Sequence, residues 1–371
     1  MIYDACVIGG GMVGSAIAYG LAKAGLTVAL VDEGDVAHRA ARGNFGLVWV
    51  QGKGVDAPEY AAWTRQSADL WPTLAATLRE STGVDVAHQR EGGVHFCFSD
   101  DEFEERRQQL HRLHNHAGIE WRYQMLDRAE LAGTFKGLGP QVVGGSYSPA
   151  DGHANPLYLL RGLHAGFTNH HGHYLPHSQV TGIRPVNGVF QVAGVNGPNT
   201  LSAHKLVLAA GLGNAKLGPQ VGLSIPVKPI RGQVLVGEKL APFMPMPSTF
   251  LRQTAEGVVL MGDSHEDVGF DEGTTPDVMA DIARRALATF PHLKAMQITR
   301  TWGALRVMSA DGLPIYDQSA TCPGAFSAST HSGVTLAAGH TGPLASAIVK
   351  GELPTDFGAF SAERFADVPV H

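Results

Sequence analysis

The chain has 371 residues, 44% of them hydrophobic and 17% charged, with a formal net charge of −6. That balance is expected of a soluble globular protein of one or two domains and excludes a disordered chain. No cluster of Lys and Arg could track phosphates, which argues against nucleic acid as a partner. Three scattered cysteines (Cys6, Cys97 and Cys322) without C-x-x-C spacing exclude a disulfide framework and fit a reducing compartment.

Residues 3–9 read as a short apolar strand that follows Met1 directly. No charged region precedes an apolar one, so no signal peptide is read. No apolar stretch is long enough for a spanning helix. These features point to a cytoplasmic protein, with peripheral contact to the respiratory chain of an inner membrane left open. Val13, Ile17, Leu21 and Ala24 recur at helical spacing, Gly25 closes that helix, and residues 27–31 form a second apolar strand. Together these predict a βαβ unit with parallel strands. A Gly- and Arg-containing loop (37–54) leads to a helix over 58–80, and a strand over 93–98 precedes a charged helix over 100–116. Gly and Pro punctuate 137–149. A helix over 156–170, a strand near 179–183, a hairpin over 186–201 and an apolar strand over 205–210 follow. An alternating, Val-, Gly- and Pro-rich region (225–270), a helix over 277–290 and a strand–turn–helix tail over 312–351 complete the chain.

Eighteen histidines raise the question of a metal. His111, His114 and His116 fall on the charged helix, and His170, His171, His173 and His177 surround a Gly-containing loop. Neither group carries a carboxylate or Cys at ligand spacing, so solvated surfaces are expected and no metal site is assigned.

The motif with the most chemistry is Gly9-Gly10-Gly11-Met12-Val13-Gly14, read as G-x-G-x-x-G between a strand and a helix. Gly9 permits the tight turn, Gly11 lets backbone approach a pyrophosphate, and Gly14 lets helix and strand pack closely. The helix N-terminus offers free N–H groups and a positive dipole end to phosphates. Asp32, with Glu33 beside it, ends the second strand about twenty residues on, where an acid accepts hydrogen bonds from ribose hydroxyls. Two later features favour a flavin over a nicotinamide. A strand ends in Ala209-Ala210-Gly211, and His331-Ser332-Gly333-Val334-Thr335-Leu336 precedes helix-prone residues. A helix starting near Gly333 would aim its positive end at the flavin's pyrimidine edge, where negative charge accumulates on reduction.

With these motifs in order along almost the whole chain, together with Pro229-Ile230-Arg231-Gly232-Gln233 and residues 302–314, the sequence resembles the D-amino-acid-oxidase-like FAD family. That family includes glycine oxidase, sarcosine oxidase and D-amino-acid dehydrogenase. The segment running from Arg42-Gly43-Asn44-Phe45-Gly46 through Trp49 and Gln51 to Lys53 looks most like the FAD-bearing β subunits of heteromeric opine oxidases, D-hydroxyproline dehydrogenase and hydrogen cyanide synthase. The resemblance implies a Rossmann-like α/β FAD-binding domain of glutathione-reductase type, over 1–82, 149–221 and 311–371. It implies an α+β substrate domain with a mostly antiparallel sheet over 83–148 and 222–310. It places Asn44 and Phe45 beside the reactive nitrogen of the ring, puts Val180 at the adenine, and counts Arg39, Arg42, Gly43 and Gly46 among the cofactor residues. Arg306 falls where glycine-oxidase-like enzymes keep the arginine that clamps a substrate carboxylate, a task suited to a planar, bidentate guanidinium. Trp49, Gln51, His265 and His331 are further pocket candidates. Arg306 is followed by Val307 where relatives often have Pro, and no Cys or His matches a covalent flavin link, so noncovalent FAD is expected.

The implied activity is oxidation of the C–N bond of an opine or D-amino acid by hydride transfer to flavin, the imine then hydrolysing. The implied partners are other subunits of a hetero-oligomer, with FMN and a [2Fe-2S] centre shared with or carried by them. A stand-alone oxidase producing hydrogen peroxide, a non-catalytic flavin-binding subunit and a nicotinamide-linked dehydrogenase are the competing readings.

Overall fold

A computed structural model of the chain describes residues 1–34, 39–116, 122–197, 199–262 and 264–366. Strand β1 (Ile2–Ile8), helix α1 (Met12–Lys23) and strand β2 (Val28–Val31) form the expected βαβ unit, with β1 and β2 parallel. The second half of β1 is wholly buried and β2 is buried along its length, as expected for strands covered on both faces. On the other side of β1 lies Asn199–Leu208, also parallel, and beyond it Ala325–Ser329, again parallel. His173–Leu175 extends the sheet past β2, and Ile315–Gln318 pairs antiparallel with Ala325–Ser329 at the opposite edge. Gly182–Val186 and Val189–Val195 add an antiparallel meander that joins the sheet through Asn199–Leu208. Eight strands are thus linked in one sheet.

One face of this sheet packs against α1, the long helix α2 (Pro58–Thr82), Pro156–Asn169 and the C-terminal windings. The other face packs beneath the meander. Gly20 of α1 sits so close to the His340–Leu344 winding that a Cβ there would lie 2.2 Å from the Thr341 carbonyl oxygen.

A second region holds two sheets whose strand pairs are all antiparallel. Leu251–Gln253, Val258–Met261, Lys228–Lys239 and Ile298–Met308 form a four-stranded sheet in that order. Gly93–Cys97, Gly144–Ser148 and Gln124–Asp127 form a three-stranded one, linked to the first by a bridge between Val94 and Ser248. Phe96, Phe135, Phe250 and Phe290 fill the core between these sheets and Pro276–Thr289.

Several boundaries differ from the sequence reading. The strand expected near 179–183 begins at Gly182, because Gln179–Thr181 packs against a bulge at Gly194, where a Cβ would lie 2.2 Å from the Gln179 carbonyl. The strand read as 205–210 starts earlier, at Asn199, and its polar first half pairs with the meander. The C-terminal helix is broken into Ala337–Gly339, a π-helical segment His340–Leu344 containing Pro343, and Ala345–Lys350. Among the described residues no helix is long and apolar enough to cross a membrane, and no three His, Cys, Asp or Glu side chains gather as a metal site.

Candidate active site

An elongated cavity of about 1120 Å³ runs along the C-terminal ends of the parallel strands and on between the sheets. It exceeds the usual range for a small-ligand pocket, as a dinucleotide with a substrate beside it requires. The rim where open α/β sheets bind ligands, outside the strand ends, is where it begins.

At that end the glycine turn has the geometry its sequence predicts. Gly9 adopts φ +109°, and a Cβ there would lie 2.3 Å from the Ala209 carbonyl oxygen. At Gly11 a Cβ would meet nothing within 4 Å, so this backbone is open to the cavity. A Cβ on Gly14 would lie 1.9 Å from the Gly9 carbonyl oxygen; this residue makes the helix–strand contact and does not line the cavity. Met12 and Val13 line it at the start of α1. Asp32 Oδ2 accepts from the Gly10 N–H at 2.6 Å and its Oδ1 from the Gly34 N–H at 2.8 Å, so the carboxylate is oriented at the cavity edge beside Glu33. Ser178, Gln179 and Val180 face it from the neighbouring chain segment. Ala210 and Gly211 continue the wall. Opposite them, the Leu336 N–H donates to the Ser332 carbonyl, closing a first helical turn around Gly333, Val334 and Thr335. These three line the cavity; Leu336 is buried behind them.

The 42–46 loop borders the middle. Gly43, Asn44 and Phe45 line the cavity, whereas Arg42 and Gly46 do not. Gly46, at φ +90°, lies against the Ala154 carbonyl, and its N–H donates to Asn44 Oδ1 at 2.7 Å. The Trp302 indole N–H fixes the loop by donating to the Gly43 carbonyl. Arg39 begins a short helical turn; its side chain lies outside the described residues.

The far end collects Trp49, His265, Arg306 and His331, whereas Gln51 does not line the cavity: it is buried, held by Asp151 and Arg106. Arg306 and Gly232 sit on paired strands, and a Cβ on Gly232 would fall within 2.6 Å of the guanidinium, so the glycine lets it lie flat on the neighbouring strand. Arg306 Nη1 donates to the Ser264 carbonyl at 2.6 Å, which sets the plane of the fork. His331 is held well below the ordinary histidine pKa by burial, then by the charges of Lys53, Arg306 and His265. His265 is exposed at the mouth, near Phe270. Trp49 is buried; its N–H donates to Thr335 Oγ1, joining this loop to the C-terminal turn. Sequence reasoning missed Lys53, Ser178, Gln179, Thr249 and Ser332 as cavity residues. Lys53 belongs to a segment already singled out, but its neighbours are distant in sequence. His111 and His114 line only a separate, shallow surface pocket.

The fold and this cavity define a dinucleotide-binding enzyme: an open glycine turn, an oriented acid at the second strand, and a basic, partly buried chamber beyond. The chain belongs to the family of FAD dependent oxidoreductases (DAO), whose family profile matches residues 4–348. It is 43% identical over 363 residues to an opine oxidase subunit of Agrobacterium tumefaciens (strain Ach5), covering 98% of this chain and 97% of that one. It is 28% identical over 413 residues to hydrogen cyanide synthase subunit HcnC of Pseudomonas aeruginosa, covering 99% and 97%. Among solved structures, glycine oxidase from Geobacillus kaustophilus superposes with a TM-score of 0.88 at 24% identity, over 97% of this chain and 98% of that one. The cofactor is FAD, and the open backbone at Gly11 and the length of the cavity fit it.

Proposed function

We propose that this chain oxidises the C–N bond of a secondary amine that carries a carboxylate, as the FAD-bearing catalytic subunit of a hetero-oligomeric opine-type dehydrogenase. The observation that carries the reading is Arg306, placed flat over Gly232 at the end of the cavity remote from Asp32. Similarity over nearly the full length of the opine oxidase subunits of Agrobacterium tumefaciens and Rhizobium meliloti supports the substrate class and the assembly.

On this reading residues 1–82, 149–221 and 311–371 hold the cofactor, and 83–148 and 222–310 shape the substrate end. Gly9, Gly11, Met12, Val13 and the Ala210–Gly211 backbone would hold the pyrophosphate, Asp32 and Glu33 the ribose, and Val180 the adenine. Asn44, Phe45 and the turn from Gly333 to Thr335 would border the ring. Bound there, FAD supplies a two-electron acceptor for hydride. The protein's own part is positional. Arg306 fixes the carboxylate through paired N–H bonds and so sets the direction of Cα–H. His331, kept uncharged, adds no competing cation and can accept a hydrogen bond. Trp49 and Phe45 exclude water from the chamber. The imine product hydrolyses to an oxo acid and a smaller amine.

The test is turnover by the purified chain with a redox dye as acceptor, over octopine, nopaline, cis-4-hydroxy-D-proline, sarcosine and glycine. Oxo-acid formation from the opines in step with dye reduction is expected. Oxo acid from none of the five, with FAD bound, contradicts the reading.

A further inference from the structure

The glycine turn that opens α1 is held from behind by a histidine that lies outside the cavity. His164 sits on Pro156–Asn169, the helix that packs along α1. Gly166 permits this approach: a Cβ there would lie 2.8 Å from the ring of Tyr19 on α1. The Tyr174 ring meets the imidazole edge-on, with centroids 4.7 Å apart. His164 is thus gripped between its own helix and the strand His173–Leu175, which extends the main sheet.

His164 Nε2 lies 3.1 Å from the Gly10 carbonyl oxygen and 2.8 Å from Ser15 Oγ, and the buried Ser15 hydroxyl donates to the same carbonyl at 2.9 Å. A carbonyl only accepts, so Nε2 carries the imidazole proton and the Gly10 oxygen receives two donors. The Gly10 N–H donates to Asp32 Oδ2 at 2.6 Å. Both backbone polar groups of Gly10 are therefore fixed.

The Gly10 carbonyl and the Gly11 N–H belong to one peptide unit, and that unit is trans. In a trans peptide the two groups point in opposite directions. Ser15 and His164 do not line the cavity, whereas Gly11 does. Holding the carbonyl on their side turns the Gly11 N–H toward the cavity, where a Cβ on Gly11 would meet nothing within 4 Å. Donors on the carbonyl also polarise the peptide and strengthen its N–H toward an anionic acceptor.

We propose that His164 is a positioning residue for the cofactor's pyrophosphate: with Ser15 it pins the Gly10 carbonyl and so aims the Gly11 N–H at the phosphate oxygens. The assignment rests on the reading that the glycine turn holds the pyrophosphate, and it adds to that turn a residue 154 positions from Gly10.

Competition on the FAD-loaded protein tests it. Dilution releases FAD, whose fluorescence gives its dissociation constant, and added ADP or adenosine opposes rebinding. ADP carries both phosphates and adenosine carries neither. His164→Leu should weaken FAD and ADP about 5- to 10-fold and adenosine less than about twofold, the scale of one hydrogen bond lost from a buried carbonyl. His164→Gln can keep an N–H donor at the same reach and should hold ADP within about threefold of the natural protein. Ser15→Ala should weaken ADP on the scale of His164→Leu. Thermal midpoints of the FAD-loaded variants check that they are folded. Equal losses for ADP and adenosine in His164→Leu, undiminished ADP binding there, or His164→Gln as weak as His164→Leu, overturns the assignment. Gly11→Ala tests the reading beneath it. ADP affinity lost in Gly11→Ala but kept in His164→Leu would strike out His164 alone; affinity kept in both would remove the pyrophosphate from this turn.

Discussion

Gly14→Ala sets two opposed effects against each other. Inside a helix the change from Gly to Ala favours folding by about 1 kcal/mol. Here the new Cβ would lie 1.9 Å from the Gly9 carbonyl oxygen, against an ordinary contact of 3.4 Å or more, and 3.2 Å from Ala209 Cβ. Relief requires roughly 1.5 Å of separation between α1 and the turn, the difference of those two distances. Helix α1 is buried along nearly its whole length and cannot move alone. Overpacking of this kind costs about 1–3 kcal/mol, more when the obstacle is backbone, so a net loss of about 2 kcal/mol is expected, with the phosphate turn distorted as well. Gly11→Ala is the control. Its φ of −73° suits alanine and its Cβ meets nothing within 4 Å, so folding should change by less than about 0.5 kcal/mol. Its methyl projects where a pyrophosphate must approach, so FAD affinity should fall about 10- to 100-fold. Thermal midpoints of flavin-stripped protein, and FAD titration by fluorescence quenching, read the two effects apart. Gly14→Ala matching the natural protein in both, or Gly11→Ala binding FAD undiminished, would refute the reasoning.

Other perturbations have equally defined outcomes. Gly232→Ala puts a methyl on the Arg306 guanidinium and should lower kcat/KM for the carboxylated amine at least about 10-fold while FAD content is kept; unchanged kinetics would show that Arg306 does not need its present position. Arg306→Met should cost about 100-fold or more in kcat/KM, and Arg306→Lys should recover only part, because a lysine cannot form the bidentate pair. Acid should destabilise the fold. Burial lowers His88 to about 4 and His95, His153 and His340 to about 3, so the unfolded chain binds more protons as pH falls below 6.5 and stability is lost. At pH 5 each amounts to about 2 kcal/mol. Asp151, raised to about 6 by burial, opposes this by gaining stability as pH falls below 6, but it is one group against these four, and burial lowers His164 and His331 as well. A thermal midpoint at pH 5 equal to that at pH 7 would contradict the sum. Gln51→Ala breaks the chain between Asp151 and Arg106 and should cost about 2–3 kcal/mol, read as a lowered midpoint in urea.

How much of this was legible in the sequence depends on how local the determinants are. The charged helix Asp100–His116 matches its reading residue for residue, since acidic residues open it and its spacing needs no partner. The βαβ unit and glycine turn are likewise local. Gly144–Ser148 is not: a Gly- and Ser-rich stretch reads as punctuation, yet it is the central strand of its sheet, and Gly145 is small because a Cβ there would lie 2.4 Å from the His95 carbonyl. The π-helical break at His340–Leu344 depends on packing against Gly20, more than 300 positions earlier, and no periodicity announces it. At the site, Arg306 and the phosphate turn were readable from motifs. Lys53 was not, because its direction is set by Asp151 and Arg106 and its contacts lie with His331 and Ser332.

The most direct test of the central claim is anaerobic bleaching of the bound flavin by substrate in stoichiometric amount, with this chain alone and no partner or dye present. Rapid loss of the oxidised flavin bands with an opine, abolished in Arg306→Met protein that keeps its FAD, is the predicted result. Flavin that stays oxidised with every amine, while dithionite still reduces it, would contradict the claim that this chain carries the chemistry.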